Sequence, residues 1–397
     1  MELTPEDKLI LCCIKMDPNA VEIAQMNNLI SQITDWDSFA KTIVDRGIAP
    51  LLYRKLPLLT SSSMIPSTVG VKLQQAYYIT LTRSMMLYDY FRKVANALNS
   101  ADILFIALKG IYLSEWLYKD IGLRQMSDID LLVKPEDGEK CLAVLSELGF
   151  VSVKNENISD FIEKKSNRVH YAPMILNDVS VEVHTKLHRD GETYSVRPAL
   201  CWQAAVKATI NKTDVYVLSP ADLLIHLAVH LDKHFCEGHV QFTCFNDITN
   251  LLAIYSGSFD WSAFVERCRL FNCESAVMKY LILVHKYCNG SLPETLVENY
   301  STLLTISDEE LFINYLHGYK FEIEVKTAIP AHLNNLKNLQ TLSDFTNYLA
   351  DLIFPPKQFM LEKYHIKHAK LFPLYYPYRY FVGVKGLFYM LAKRGKR

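Results

Sequence analysis

Asp128-Ile129-Asp130 sets two carboxylates one residue apart at the head of a run, Asp128 to Val133, that is otherwise apolar. On a strand, side chains two residues apart leave from the same face. Both aspartates then aim at one point, while Ile129, Leu131 and Val133 anchor the opposite face. Two adjacent carboxylates repel, so the pair is unfavourable without a compensating cation or proton. Mg²⁺ meets that need, because it favours carboxylate oxygens, keeps several waters and bridges to phosphates. Displacement chemistry run by two metal ions needs a further shared carboxylate. Val179-Ser180-Val181-Glu182-Val183-His184 supplies it: the valines alternate inward, so Ser180, Glu182 and His184 share the polar face. Asp-x-Asp alone is common, and by itself it suits a surface loop or strand edge better than a site. The apolar flanks, the preceding Lys109-Gly110 turn and the valine-alternating strand argue for a site.

Lys109 and Arg124 precede these elements, where a polyphosphate needs positive charge and backbone donors. Arg124 offers a bidentate clamp and Lys109 a point charge; solvated surface charge is the plainer reading of both. His226, His230 and His234 recur every fourth residue and so form one stripe of a helix. Such a stripe, completed by a carboxylate such as Asp247, has the elements of a zinc site. No His-Glu-x-x-His motif or cysteine cluster accompanies it, so a buried or interface stripe is favoured. A third reading places His234 and Asp247 on the floor of a pocket. Tyr375 to Phe381, with the basic end Lys393-Arg394-Gly395-Lys396-Arg397, suits base stacking or a membrane surface, but packing within the helical part is the simpler role.

Elements to hold these residues are visible along the chain. Pro5 with Glu6 and Asp7 marks a helix start, a second helical stretch runs from Asp37 to Ile48, and Pro66 opens a long helix reaching Asn99. Ile103 to Leu108 is a short apolar run that predicts a buried strand, followed by a helix over 111–118 and the Asp128 strand. Pro135 to Leu148 is amphipathic and stops at Gly149. Asn177-Asp178 between two apolar runs predicts a hairpin. From 199 onward helices return, with Ser219-Pro220 as a strong start. The chain of 397 residues is 50% hydrophobic and 21% charged, a globular composition with material for two or three domains. With a net charge of -1 it has no global basic field for nucleic acid. The nine cysteines form no C-x-x-C pair and read as reduced thiols of a cytoplasmic protein. The acidic start does not suit a signal peptide, and no run approaches the roughly 18 apolar residues of a membrane span.

Leu108-Lys109-Gly110, then Gly122 through Val133, then Val181-Glu182-Val183-His184 resembles the uncharacterised nucleotidyltransferase family of bacteria, over about 100–380. The resemblance implies the polymerase-beta-like fold: an α+β mixed-sheet core, here over 101–200, with helical regions over 1–100 and 201–397. It also implies that Asp128 and Asp130 hold Mg²⁺ or Mn²⁺, with Glu182 as third carboxylate. Lys109, Gly110, Arg124, Ser127 and His184 are the expected nucleotide contacts. One departure stands out: where the wider superfamily grips the phosphates of the NTP with a Gly-Ser turn, this chain has Lys109-Gly110 and a longer insertion before the aspartates. The implied reaction moves a nucleotide from an NTP to a hydroxyl on a small molecule, peptide or sugar. An RNA end stays open as acceptor, and the neutral charge argues against it. A catalytically inactive scaffold that binds a nucleotide or a protein is the alternative, against which the presence of all three carboxylates speaks. A plain helical interaction protein leaves the polar residues in register on apolar strands unexplained.

Overall fold

The computed structural model describes residues 3–153, 169–188, 194–237, 242–257, 259–317, 354, 360 and 369–380. The chain divides into two compact units, Met1–His234 with Val240–Gly318 and Phe235–His239 with Tyr319–Arg397. In the second, a 3₁₀ segment (Ala369–Leu374) runs into helix over 375–380, and Phe372 meets Tyr376 edge-on at 6.0 Å. Phe381, the basic end and His239 lie outside the described residues, as does the side chain of Cys236.

The first unit opens with four helices, α1 (Pro5–Ile14), α2 (Ala20–Ile30), α3 (Trp36–Asp45) and α4 (Ala49–Lys55). Local chemistry sets their starts. Thr4 accepts from the Asp7 N–H while the Asp7 carboxylate accepts from Thr4, and Asn19 and Glu22 repeat the exchange on α2. Helix α3 ends where Gly47 turns left-handed at φ +71°. Then α5 (Ser67–Ser100) follows Pro66 and buries Leu87, Phe91, Val94 and Leu98 along one face.

A sheet takes over from there: β1 (Phe105–Ala107), α6 (Gly110–Trp116), β2 (Asp128–Val133), α7 (Gly138–Glu147), β3 (Val151–Ser152), β4 (Met174–Leu176), β5 (Val179–His184), α8 (Pro198–Ala204), β6 (Val206–Ile210) and β7 (Thr213–Val217). The seven described strands lie in the order β3-β4-β5-β2-β1-β7-β6. The sheet is mixed, because β2 runs parallel to β5 but antiparallel to β1, which in turn is parallel to β7. One face packs Ile129, Leu131, Val181 and Val183 against α5 and α7 in a continuous core. Deleting a side chain from such a core costs ~2–5 kcal/mol. This is an α+β fold, as expected.

Two hairpins join neighbouring strands of the sheet. Asn177-Asp178 joins β4 to β5 with both φ positive, the mirror-image turn that matches strand twist. Asn211-Lys212 joins β6 to β7 the same way, where the sequence expectation had only helices. Lysine is uncommon at φ +63°, so the turn lacks the Asn-Gly signature that marks such hairpins.

Helices return with α9 (Pro220–Glu237), capped by Ser219, then α10 (Phe242–Tyr255), α11 (Trp261–Leu270), α12 (Glu274–Cys288), α13 (Glu294–Tyr300) and α14 (Ile306–His317). Asn250 of α10 ties this group to α1, accepting from Met16 N–H at 2.8 Å and donating to Ile14 O at 3.0 Å. The eight described cysteines are all free. Among the described residues no helix is long and apolar enough to cross a membrane.

Lys55 at the end of α4 is buried, its Nζ donating to Cys13 O at 2.9 Å. Burial without a carboxylate partner pushes its ammonium down to about 8 from an ordinary 10.5. Between those values the unfolded chain holds a proton that the folded chain has released, so stability rises with pH across the window. At ~1.4 kcal/mol per pH unit the rise is about 3 kcal/mol. Denaturant unfolding of the parent and Lys55→Met from pH 7 to 11 should show this rise in the parent only; parallel curves would refute it.

Candidate active site

The parallel register of β2 and β5 builds the site. Asp128 pairs with Ser180, Asp130 with Glu182 and Leu132 with His184, so the alternation of both strands delivers their polar residues to the same face. His184 Nε2 donates to Asp130 Oδ1 at 2.9 Å and lies 3.6 Å from Glu182 Oε2. Ligand atoms of Asp130, Glu182 and His184 all fall within 4.8 Å of one another, and they form the one such cluster found among the described residues. Asp128 is outside that cluster but lines the same pocket, a cavity of about 290 Å³. His170 lies across from Glu182, Nε2 to Oε2 at 3.6 Å, with its Nδ1 hydrogen-bonded to Tyr171 O.

The three carboxylates of β2 and β5 respond differently. Burial alone would raise the Asp130 carboxyl, but Lys109 and the His184 hydrogen bond outweigh it and hold it well below the usual range. Burial, reinforced by the Asp130 charge, pushes Asp128 up. Burial also raises Glu182, offset in part by His170. His184 is lowered by burial against the pull of Asp130. This imbalance is what a divalent cation relieves. Two carboxylates with an imidazole suit Mn²⁺ and similar borderline ions, while the added oxygens of Asp128 suit Mg²⁺.

Lys109 sits at the turn between β1 and α6, its Nζ 3.4 Å from Asp130 Oδ2. Its backbone holds φ +43°, a strained conformation for a residue with a Cβ and one that clusters at functional sites. Gly110 follows because a Cβ there would stand 2.7 Å from Arg124 Nη1 and 3.1 Å from Met126. The 122–127 loop therefore packs directly against this turn, and Ser127 brings it to Asp128 on the pocket wall.

Arg124 is placed differently from the phosphate clamp the sequence suggested. Its Nε and Nη2 donate to Asp247 Oδ1 and Oδ2 at 2.9 and 2.7 Å, and Tyr118 Oη donates to the same carboxylate at 2.8 Å. All three side chains are buried. Arg124 still lines the pocket, with its bidentate face turned to Asp247. Burial disfavours the guanidinium charge, yet Asp247 outweighs that and raises it.

The histidine stripe of α9 forms the opposite wall. His226, His230 and His234 all line the pocket, with His230 and His234 Nε2 atoms 2.9 Å apart. Zinc held with Asp247 is not formed among the described residues, since that carboxylate belongs to Arg124 and Tyr118. His226 is buried with neither ring nitrogen hydrogen-bonded. Burial foremost drives it and His230 well below the ordinary histidine range, and His188 down to about 3, so these three rings are neutral at neutral pH, while Lys233 of the same helix brings a cation to the pocket wall. His170 and His188 were not singled out in the sequence. The Val181-Glu182-Val183-His184 strand gives no sign of which neighbours fold over it, although His188 follows His184 at a distance of four residues.

The model of the uncharacterised nucleotidyltransferase family matches residues 32–289, well over half of the chain. The chain belongs to that family. No curated protein and no solved structure matched it. The match spans the carboxylate strands, the α9 histidines and Asp247, so the pocket lies wholly within the matched segment.

Because Asp128 and Glu182 keep protons more tightly in the folded protein, their share of stability falls as pH rises through the raised values. A cation reverses this. Mn²⁺ or Mg²⁺ should therefore raise the melting temperature at neutral pH and progressively less as pH drops into the carboxylate range, with Asp130→Asn blunting the response. A shift independent of both pH and Asp130 would place the cation elsewhere. Asp247→Asn, which leaves Arg124 buried without a counter-charge, should cost about 3–5 kcal/mol in denaturant unfolding; a cost under 1 kcal/mol would show that the pair does not hold the loop.

Proposed function

We propose that this pocket transfers a nucleotide from an NTP to a hydroxyl acceptor, with Asp128, Asp130 and Glu182 as the carboxylates of a divalent-metal site. The convergence of Asp130, Glu182 and His184 within 4.8 Å, beside Asp128 and the Lys109 cation, carries the reading. Mg²⁺ or Mn²⁺ bound there would polarise the transferred phosphoryl group and offset its charge.

The remaining work falls to the chain. Lys109, close to Asp130 and facing the pocket, supplies a positive charge for the polyphosphate, and Gly110 and Ser127 line its path. His184 fixes the orientation of the Asp130 carboxylate through its hydrogen bond. Glu182, in the same cluster as Asp130 and His184, accepts the proton of the attacking hydroxyl. The acceptor oxygen bonds to the α-phosphorus as the bond to the leaving pyrophosphate breaks. Arg124 acts as a positioning residue, holding the loop through Asp247 rather than gripping phosphate.

Two comparisons test this. Glu182→Gln keeps volume and most hydrogen bonding, so NTP binding should survive while transfer from labelled NTPs falls by ~100-fold or more; transfer at the parental rate would remove Glu182 from the mechanism. Lys109→Ala should weaken NTP binding by ~10-fold with the fold intact, whereas Arg124→Ala should show mainly lost stability. Unchanged NTP affinity in Lys109→Ala would move the phosphate grip elsewhere.

A further inference from the structure

A second cavity, of about 370 Å³, adjoins the pocket, and the two share Gln125, Met126, Ser127 and Thr243 as walls. Its cations are Arg46 and Arg83. Arg46 caps the C-terminus of α3 and lies over the Phe242 ring at 5.4 Å. Its Nε is buried without a hydrogen-bond partner, and among the described residues its guanidinium forms no ion pair. The adjacent Asp45 on the same rim is exposed and forms no ion pair with it, and its charge offsets the burial of Arg46 only in part. Arg83 reaches in from α5, held by Ser127 O and Asp178 O, both accepting from Nη2 at 2.8 and 2.9 Å. Its Nε and Nη1 have no acceptor among the described residues, so the fork is anchored at one nitrogen and open at the others.

A half-buried guanidinium that forms no ion pair is a costly arrangement. Burial indeed lowers the proton affinity of Arg46. An anion in the cavity would satisfy both arginines, since a planar fork matches the oxygens of a carboxylate or phosphate. The exposed Ile79 supplies apolar surface beside them, and Ser127, on the shared wall, is joined directly to Asp128.

We infer that this second cavity is the acceptor subsite, and that the acceptor carries a phosphate or carboxylate held by Arg46 and Arg83 with a ring or apolar portion against Ile79. The inference rests on the transfer function proposed above and names its acceptor class. Its hydroxyl would enter the neighbouring pocket past Ser127. Neither cationic residue belongs to the carboxylate site, so the two halves of the reaction are separable by mutation.

Calorimetric titration of the full chain, saturated with Mg²⁺ and an α,β-methylene NTP analogue at fixed ionic strength, tests it. The probes are phenyl phosphate, benzoate and uncharged benzyl alcohol. One of the two anions should bind and should weaken ~10-fold or more in Arg46→Ala, with partial recovery in Arg46→Lys. The analogue's own Kd should move less than ~2-fold in both variants, as expected for separate sites. Preference for phenyl phosphate assigns a phosphate-bearing acceptor, and preference for benzoate a carboxylate. Anion binding indifferent to Arg46, or matched by benzyl alcohol, overturns the inference while leaving the transfer function standing. Equal weakening of the analogue in Arg46→Ala would give the cavity to the triphosphate and also overturn it. A parent chain that binds none of the analogues sinks the transfer reading, and the acceptor subsite with it.

Discussion

Parallel pairing of β2 with β5 sets Asp130 directly beside Glu182, and much of the site follows from the repulsion this creates. Backbone hydrogen bonds and a valine-rich core fix the register, so the carboxylates cannot move apart without breaking the sheet. The surroundings compensate in three ways. Lys109 lies 3.4 Å from Asp130, His184 donates to it, and Asp128 and Glu182 are raised. The strained Lys109 backbone is part of this arrangement, since it turns the chain at the end of β1 where the cation is needed. Such a centre favours whatever brings further positive charge.

The 122–127 loop transmits that constraint outward. Gly110 allows Arg124 and Met126 to approach from one side, and Gly47 leaves room for Gln125 on the other, where a Cβ would lie 2.7 Å from its Oε1. Arg124 then fastens the loop to α10 through Asp247. A buried pair of this kind adds little to net stability, but breaking one member is costly, which makes it effective at fixing a single geometry. The loop stands as a common wall, with the carboxylate pocket on one side and the Arg46–Arg83 cavity on the other. On α9, His226 and His230 are kept neutral by burial, so Lys233 is the cation that this helix adds to the charges of the sheet and the Lys109 turn.

Sequence alone determined the features whose physics is local. Helix caps at Thr4, Asn19 and Ser219 depend on residues three apart, and alternation in Val179–His184 requires only that the segment be extended. The three carboxylates were legible for the same reason, as acids interrupting apolar strands. The β6–β7 hairpin was not, because Asn211-Lys212 adopts a turn that its composition does not advertise. Tertiary structure decided what depends on distant partners. Arg124 meets Asp247 across 123 residues of sequence, which ties the 122–127 loop to α10. His184 reaches Asp130 only because β5 docks parallel to β2, and Arg46 faces Phe242 only because α3 and α10 fold together beside the loop. Periodicity reports which face a side chain leaves from. Which group meets it there is set by the packing of elements far apart in the chain.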